Sequence, residues 1–125
     1  MTRYIDVDDF NMENDAPGIP VHWLSKDARF RIIETLISTR SLTDLAKELG
    51  VTSTAIRKYM KRETHPSDEV ILKALSILAP YEEEKVYSII ISDLVSALRL
   101  LYKMLDEKYR EKVRKLIEEV ILEQR

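Results

Sequence analysis

The sequence predicts an all-α protein, and three of its features carry this prediction. From Ser25 onward, apolar residues recur three or four positions apart, the spacing that places them on one face of a helix. Serine, threonine or proline stands where most of these segments begin, and these residues favour helix starts. No segment alternates apolar and polar residues as a strand does, and no internal repeat is present.

Four short helices are expected first, followed by two longer ones. The residues expected to begin the short helices are Ser25, Ser41, Thr52 or Ser53, and Ser67 after Pro66. The side chains expected to face the core are Phe30, Ile33, Leu36, Ile37, Leu42, Leu45, Ala46, Leu49, Ile56, Tyr59, Val70, Ile71, Ala74, Leu75 and Leu78. The longer helices are predicted at about 81–105 and 107–123, with Pro80 preceding them.

Composition limits the kinds of protein this can be. The chain has 125 residues, 45% of them apolar, which suits one compact domain with an appended segment. It contains no cysteine, so disulfides and thiolate metal sites are excluded. No apolar run reaches the roughly 18 residues that cross a bilayer, and the first ten residues are acidic where a signal peptide would be basic. We therefore expect a cytoplasmic protein, and the few amide side chains favour a thermophilic source.

Charge divides the chain into segments. Residues 1–20 hold one basic and five acidic groups, a net charge of 1 − 5 = −4, and Pro17, Gly18 and Pro20 close them. This predicts an irregular acidic arm, which either packs on the domain, shields a basic face or is a loosely attached tail. Residues 38–73 hold seven basic and five acidic groups, 7 − 5 = +2, in the only basic concentration of the chain. We divide the chain into the arm at 1–20, a domain at 21–80 and C-terminal helices at 81–125.

The stretch "SLTDLAKELGVTSTAIRKYMKR" places a glycine between two short predicted helices, and the spacing of the residues around it suits a sharp turn. Gly50 supplies the left-handed conformation that ends one helix and turns the chain sharply. Ala46 is small enough to let the next helix approach, and Ile56 fills the wedge between the two helices. Ala46, Gly50 and Ile56 stand at offsets of four and six, as in the helix-turn-helix of DNA-binding proteins, which this stretch closely resembles.

The segment that follows, "HPSDEVILKALSIL", resembles the fourth helix of the lambda repressor and Cro-type (xenobiotic-response-element) family. The residues in similar order are Pro66, Ser67, Leu72, Lys73, Ala74 and Leu78, and Tyr59 stands where the family often has tryptophan. The resemblance covers roughly residues 25–92 and implies a five-helix domain. It departs from the family at two places: Leu42 replaces the usual phosphate-contacting glutamine, and "MKRETH" lacks the usual glycine after the third helix.

This resemblance implies a recognition helix at about 53–61 that lies in the major groove of double-stranded DNA. Hydroxyl groups at its start suit phosphates and base edges, and the arginine fork of Arg57 can bind guanine O6 and N7 together. Lys58, Lys61 and Arg62 are expected mostly at phosphates. The predicted DNA-binding residues are Thr52, Ser53, Thr54, Arg57, Lys58, Lys61 and Arg62.

The C-terminal helices carry an apolar band too broad to stay exposed to water. Either the last helix folds back as a hairpin and covers it, or two copies of the chain pair through it. We expect a homodimer, because a two-fold dimer presents its recognition helices to half-sites about 34 Å apart. The predicted interface residues are Ile90, Leu94, Leu98, Leu101 and Leu105.

Catalysis has little support in the sequence. His22 and His65 are the only histidines, and His22 is expected to pack beside Trp23 and His65 to lie in a turn. The acids of "YEEEKVY" are explained by the dipole at a helix start. We expect no enzymatic activity, metal or cofactor, and no effector is identified. The predicted function is a dimeric, sequence-specific transcriptional regulator. The alternatives are a plasmid, viral or recombination accessory protein, or an antitoxin-like interaction module.

Overall fold

The residues predicted to begin the four short helices do cap them. In the computed structural model, which describes residues 19–123, each capping hydroxyl accepts a hydrogen bond from a backbone N–H in the first turn. These bonds are Ala28 N to Ser25 Oγ at 3.1 Å, Asp44 N to Ser41 Oγ at 3.1 Å, Ala55 N to Thr52 Oγ1 at 3.0 Å, and Val70 N to Ser67 Oγ at 3.3 Å. The third helix is therefore capped by Thr52 and not by Ser53.

Residues 19–123 form six α-helices and contain no strand, which confirms the all-α prediction. The helices are α1 (Lys26–Ile37), α2 (Leu42–Leu49), α3 (Ser53–Met60), α4 (Asp68–Ser76), α5 (Pro80–Met104) and α6 (Glu107–Glu123). Within this range, a 3-10 turn at Val21–Trp23 precedes α1. The predicted acidic arm lies outside the described residues except for Ile19 and Pro20. No helix in the described part of the chain is both long and apolar enough to cross a membrane.

The core forms around α1, which packs against α2, α3, α4 and α5. Ile32, Ile33 and Leu36 are completely buried on its inner face. The predicted inward positions of α2, α3 and α4 meet them there, including Leu45, Ile56 and Ile71. Helical periodicity alone therefore identified most of this core.

Gly50 ends α2 in the way the motif requires. Its φ of 70° is left-handed, and two backbone hydrogen bonds close the helix end: Gly50 N to Lys47 O at 3.2 Å and Val51 N to Ala46 O at 3.0 Å. This pair of bonds is the Schellman arrangement, which satisfies carbonyl groups that the helix end would leave unpaired. A Cβ atom at Gly50 would meet no other atom within 4 Å, so only the backbone conformation requires glycine.

We expect Gly50→Ala to lower the free energy of unfolding by about 1–2 kcal/mol, the cost of a left-handed conformation for a residue with a Cβ atom. Urea unfolding followed by circular dichroism measures the change. Lys47→Ala, at an exposed site in the same helix, is the control and should change stability by less than about 0.5 kcal/mol. Equal stability of the wild type and Gly50→Ala would contradict this account of the turn.

The first part of α5 belongs to the same core. Val86, Ile89 and Ile90 are buried against it, and Leu94 is half-buried at its edge. At the start of α1, Ser25 donates from its N–H and its hydroxyl to the Asp93 carboxylate, at 2.9 and 2.5 Å. The packed unit therefore continues well past residue 80, where we had placed the end of the domain. This packing also removes Ile90 from the predicted dimer interface, because the Ile90 side chain is only 6% exposed within its own chain.

The rest of α5 and all of α6 extend beyond this core. No residue of α6 is buried. Arg110 Nε donates to Tyr102 O at 3.0 Å and joins the two helices near their connection. Farther along, α6 leaves large apolar side chains of both helices exposed to solvent. In the single chain α6 thus turns back beside α5, as the hairpin alternative expects, but it does not bury the apolar band of α5.

Glu82 has a structural role that the sequence did not indicate. It is 2% exposed, while its neighbours Glu83 and Glu84 are exposed. Its carboxylate accepts hydrogen bonds from Arg40 Nη1 at 2.8 Å, Arg40 Nη2 at 3.1 Å, Ala79 N at 2.8 Å and the hydroxyl of Thr39. This buried acid thus fixes the start of α5 to the connection between α1 and α2, which the helix dipole alone does not explain.

Candidate nucleic-acid interface

The start of α3 presents hydroxyl groups and the N-terminal end of a helix. Thr52 is extended, with φ −84° and ψ 157°, and its hydroxyl oxygen caps the helix through the N–H of Ala55. Thr52 and Thr54 are exposed, whereas Ser53 is half-buried. Backbone N–H groups in a first helical turn lack helical partners and point out along the axis. This end of α3 can therefore bind anionic groups such as phosphates.

The exposed side of α3 carries the cations predicted from the sequence. Ile56 and Tyr59 turn into the core, and burial raises the pKa of the Tyr59 phenol. Arg57 and Lys58 therefore project on the opposite side, where Lys61 follows them, and all three are exposed. Among residues 19–123, no carboxylate pairs with any of these three side chains. They form a cationic surface that remains available to an external anion; we call Arg57, Lys58 and Lys61 the basic face.

Arg62 differs from the other predicted DNA-binding residues because its charge already has partners. Its Nη1 lies 2.7 Å from Asp27 Oδ1, and its Nη2 lies 3.8 Å from Glu34 Oε2. The guanidinium carbon stands 5.0 Å from the centre of the Phe30 ring, within cation–π range. In the free protein, Arg62 thus attaches the end of α3 to α1.

Arg62 also occupies the position where the family usually has glycine. Its φ of 61° is left-handed, and Arg62 N bonds Tyr59 O at 3.0 Å while Glu63 N bonds Lys58 O at 2.9 Å. These two bonds repeat the helix ending found at Gly50. The turn that glycine would make is therefore present, and the contacts of Arg62 with Asp27 and Phe30 help to hold an arginine in it.

The segment that leads from α3 to α4 is held by a buried arginine of α1. Arg29 Nη1 donates to Pro66 O at 3.0 Å, and Nη2 donates to Asp68 Oδ1 at 2.6 Å. His22, which we expected to pack beside Trp23, is exposed and places its Nδ1 3.0 Å from Asp68 Oδ2, although its ring does meet the Trp23 ring edge-on. The hydrogen bonds from His22 and Arg29 lower the pKa of Asp68. His65 lies in the segment between α3 and α4, just after the turn that follows α3, with Nδ1 3.2 Å from Pro66 O.

Two further positions complete the surface. Leu42, which stands where the family has a phosphate-contacting glutamine, is half-buried against the core and offers no polar group. Met60 was missed by the sequence reasoning, although it lies three residues after Arg57 on the same side of α3 and is 45% exposed. An apolar side chain beside the basic face can meet a thymine methyl group in the major groove. Its position three residues after Arg57 was the sequence feature that could have identified Met60.

The basic face can bind an external anion. The described residues contain no group of three or more histidine, cysteine or carboxylate side chains that could hold a metal. In a comparison with known protein families, the family model described as helix-turn-helix matches residues 39–83. That segment contains α2, α3, α4 and the beginning of α5. No curated protein and no solved structure matches the chain.

Proposed function

Because residues 39–83 form a helix-turn-helix domain of the lambda repressor and Cro type, we propose that this protein is a sequence-specific DNA-binding regulator of transcription. Its α3 lies in the major groove, and it acts by occupying its site, with no catalytic step. A cytoplasmic location follows from this function. The protein binds as a homodimer through its C-terminal helices, so that two copies of α3 reach two half-sites.

The observation that carries this proposal is the basic face on the one helix that the motif assigns to DNA. Arg57, Lys58 and Lys61 are exposed and unpaired within the described part of the chain, while the opposite side of α3 is fixed in the core. A rigid helix with free cations pays little conformational entropy to meet a fixed row of phosphates. We assign Arg57 to a base edge and Lys58 and Lys61 to phosphates.

The residues around the basic face have supporting roles. Thr52, Ser53 and Thr54 place hydroxyl and N–H groups at the start of α3, where they can meet the phosphate backbone. Arg62 can reach a phosphate only by giving up Asp27, so we assign it mainly to holding the end of α3 on α1. Its removal should therefore affect the stability of the domain more than its affinity for DNA.

Salt dependence and one charge reversal test the proposal. We expect fluorescence anisotropy with a mixed-sequence duplex to show binding that weakens by about 10³ to 10⁵ between about 50 and 200 mM salt if six to ten phosphates are contacted. Arg57→Glu removes one cation and repels phosphate, so its affinity at 50 mM salt should fall at least about tenfold. Circular dichroism should show an unchanged helical content, since Arg57 is exposed and makes no contact that holds α3 in place.

Lys103→Glu is the matched control, because it makes the same charge change at an exposed site at the far end of α5. Its affinity should stay within about twofold of the wild type. Absence of salt-dependent binding by the wild type, or equal losses in both variants, would contradict the proposed DNA interface. The first of these results would instead favour an antitoxin-like interaction module whose partner is a protein.

A further inference from the structure

The C-terminal part of the structure exposes more apolar surface than a single chain normally leaves in water. Beyond the core, α5 exposes Ile91, Val95, Leu98 and Leu101, and α6 exposes Tyr109, Leu116, Ile117 and Val120. Exposed apolar surface of this extent normally marks an interaction site. The same region has no buried residue of α6 to hold that helix against the rest of the chain. These helices therefore need a further partner to become a packed structure.

A groove between the two helices shows where that partner lies. It has a volume of about 450 Å³, and its walls come from both helices. The apolar side chains that line it are Val95, Leu98, Tyr102, Val113, Ile117 and Ile121. These side chains recur three or four residues apart over about two turns of each helix, which suits the apolar stripe of another helix.

The stripe that fits is present on α6 itself. Tyr109, Val113, Leu116 and Val120 follow one another at spacings of four, three and four residues, the pattern of a helix–helix seam. The charges of α6 are also divided along its length. Residues 107–115 hold five basic and two acidic groups, 5 − 2 = +3, while residues 116–123 hold three acidic groups and no basic one, −3.

We propose that the occupant of the groove is α6 of a second copy of this chain, and that the two α6 helices run antiparallel across a two-fold axis. This arrangement specifies the dimer on which the proposed function rests. Each α6 lies in the groove between α5 and α6 of the other copy, so the two copies fill each other's groove across the two-fold axis. The result is a four-helix assembly with a shared apolar interior.

Charge selects the antiparallel direction. In an antiparallel pair the +3 half of each α6 faces the −3 half of the other, and both contacts are attractive. In a parallel pair, +3 would face +3 and −3 would face −3 along the whole helix. The apolar seam gives the register, because Val113 then opposes Leu116 of the second copy and Tyr109 opposes Val120. The two-fold axis passes between residues 114 and 115.

Spin labels measure this geometry directly in the full chain without DNA. The protein contains no cysteine, so a single cysteine gives a single label in each copy. We choose Lys108→Cys, Lys115→Cys and Leu122→Cys, because these exposed sites are seven residues apart and lie on the same side of α6. Double electron–electron resonance at tens of micromolar protein should give the shortest distance at 115. At 108 and 122 the two labels should be offset along the helix axis by about 20 Å, at a rise of about 1.5 Å per residue.

Equal distances at the three sites would overturn the antiparallel arrangement, and absence of dipolar coupling would overturn the dimer. Two leucine variants provide a matched test. Leu116→Asp places a charge in the seam and should abolish the coupling, while Leu122→Asp, on the outer side, should retain it. Arg57→Glu should keep the wild-type distances, since α3 takes no part in the contact. Loss of DNA binding and loss of the dimer are therefore observed separately.

Discussion

Replacing Glu82 with alanine is expected to lower the free energy of unfolding by about 3–5 kcal/mol, because it leaves the largely buried Arg40 without its buried carboxylate partner. Arg40 exposes only 14% of its side chain and gives two hydrogen bonds to the Glu82 carboxylate. Its remaining ion pair, to Glu48 at 3.2 Å, involves a carboxylate in contact with solvent. The substitution also removes the acceptor for the N–H of Ala79 at the start of α5. Urea unfolding at pH 7 measures the loss.

The dependence on pH gives this prediction a second readout. Burial alone would raise the pKa of Glu82, but the hydrogen bonds from Thr39, Ala79 and Arg40 outweigh it and lower the pKa below its ordinary 4.5. A carboxyl group whose pKa is lower in the folded state stabilises the fold fully above its unfolded pKa. That stabilisation is lost as the pH falls through the folded pKa. The difference in stability between the wild type and Glu82→Ala should therefore be constant above about pH 6 and shrink below about pH 4.

The neighbouring acids of the same helix provide the control. Glu83→Ala and Glu84→Ala remove exposed carboxylates from the same turn, and each should change stability by less than about 0.5 kcal/mol. If Glu82→Ala lowered the free energy of unfolding no more than these two variants do, Glu82 would only offset the helix dipole, as the sequence first suggested. A difference that persists unchanged at pH 3 would show that packing and not the ionised carboxylate causes the loss.

Sequence patterns predicted the helices well because each rule involved depends on residues close together in the chain. A serine or threonine caps a helix through an N–H a few residues ahead, and a period of three or four residues identifies the buried face. Ser25, Ser41 and Ser67 cap as predicted, and Gly50 makes the left-handed turn. The basic residues of α3 are exposed for the same local reason, since Ile56 and Tyr59 fix which side of α3 is buried.

The features that the sequence did not predict depend on residues far apart in the chain. Glu82 pairs with a residue 42 positions earlier, so its position in an acidic run gave no sign of burial. Arg62 could be recognised as an anchor only once Asp27 was placed beside it, 35 positions away in the sequence. Ile90 fits the apolar period of an interface and that of a core equally well. Only the packing of α5 on α1 decides between these two roles.

Replacing Arg29 with alanine is expected to lower the free energy of unfolding by a similar amount, about 3–5 kcal/mol, because three backbone carbonyl groups and the Asp68 carboxylate each lose a donor at once. Arg29 is 5% exposed and joins three parts of the chain. It donates to Val21 O at 2.8 Å and to Leu24 O at 3.2 Å before α1, and to Pro66 O at 3.0 Å before α4. Its bond to Asp68 at 2.6 Å supplies the charge that balances it. Thermal and urea unfolding should both report the loss.

Arg31→Ala is the matched control, because it removes an exposed arginine two residues later in the same helix and should change stability by less than about 0.5 kcal/mol. Arg29→Lys keeps the charge but cannot hold three diverging acceptors, so its stability should fall between those of the wild type and the alanine variant.

Because Arg29 holds Pro66 and Asp68 on the chain that leaves α3, Arg29→Lys should also weaken DNA binding without changing the slope of affinity against salt. A changed slope would mean that Arg29 or the basic face had altered its phosphate contacts. If Arg29→Lys lost as much stability as Arg29→Ala, the shape of the guanidinium group, and not its charge, would hold this part of the fold.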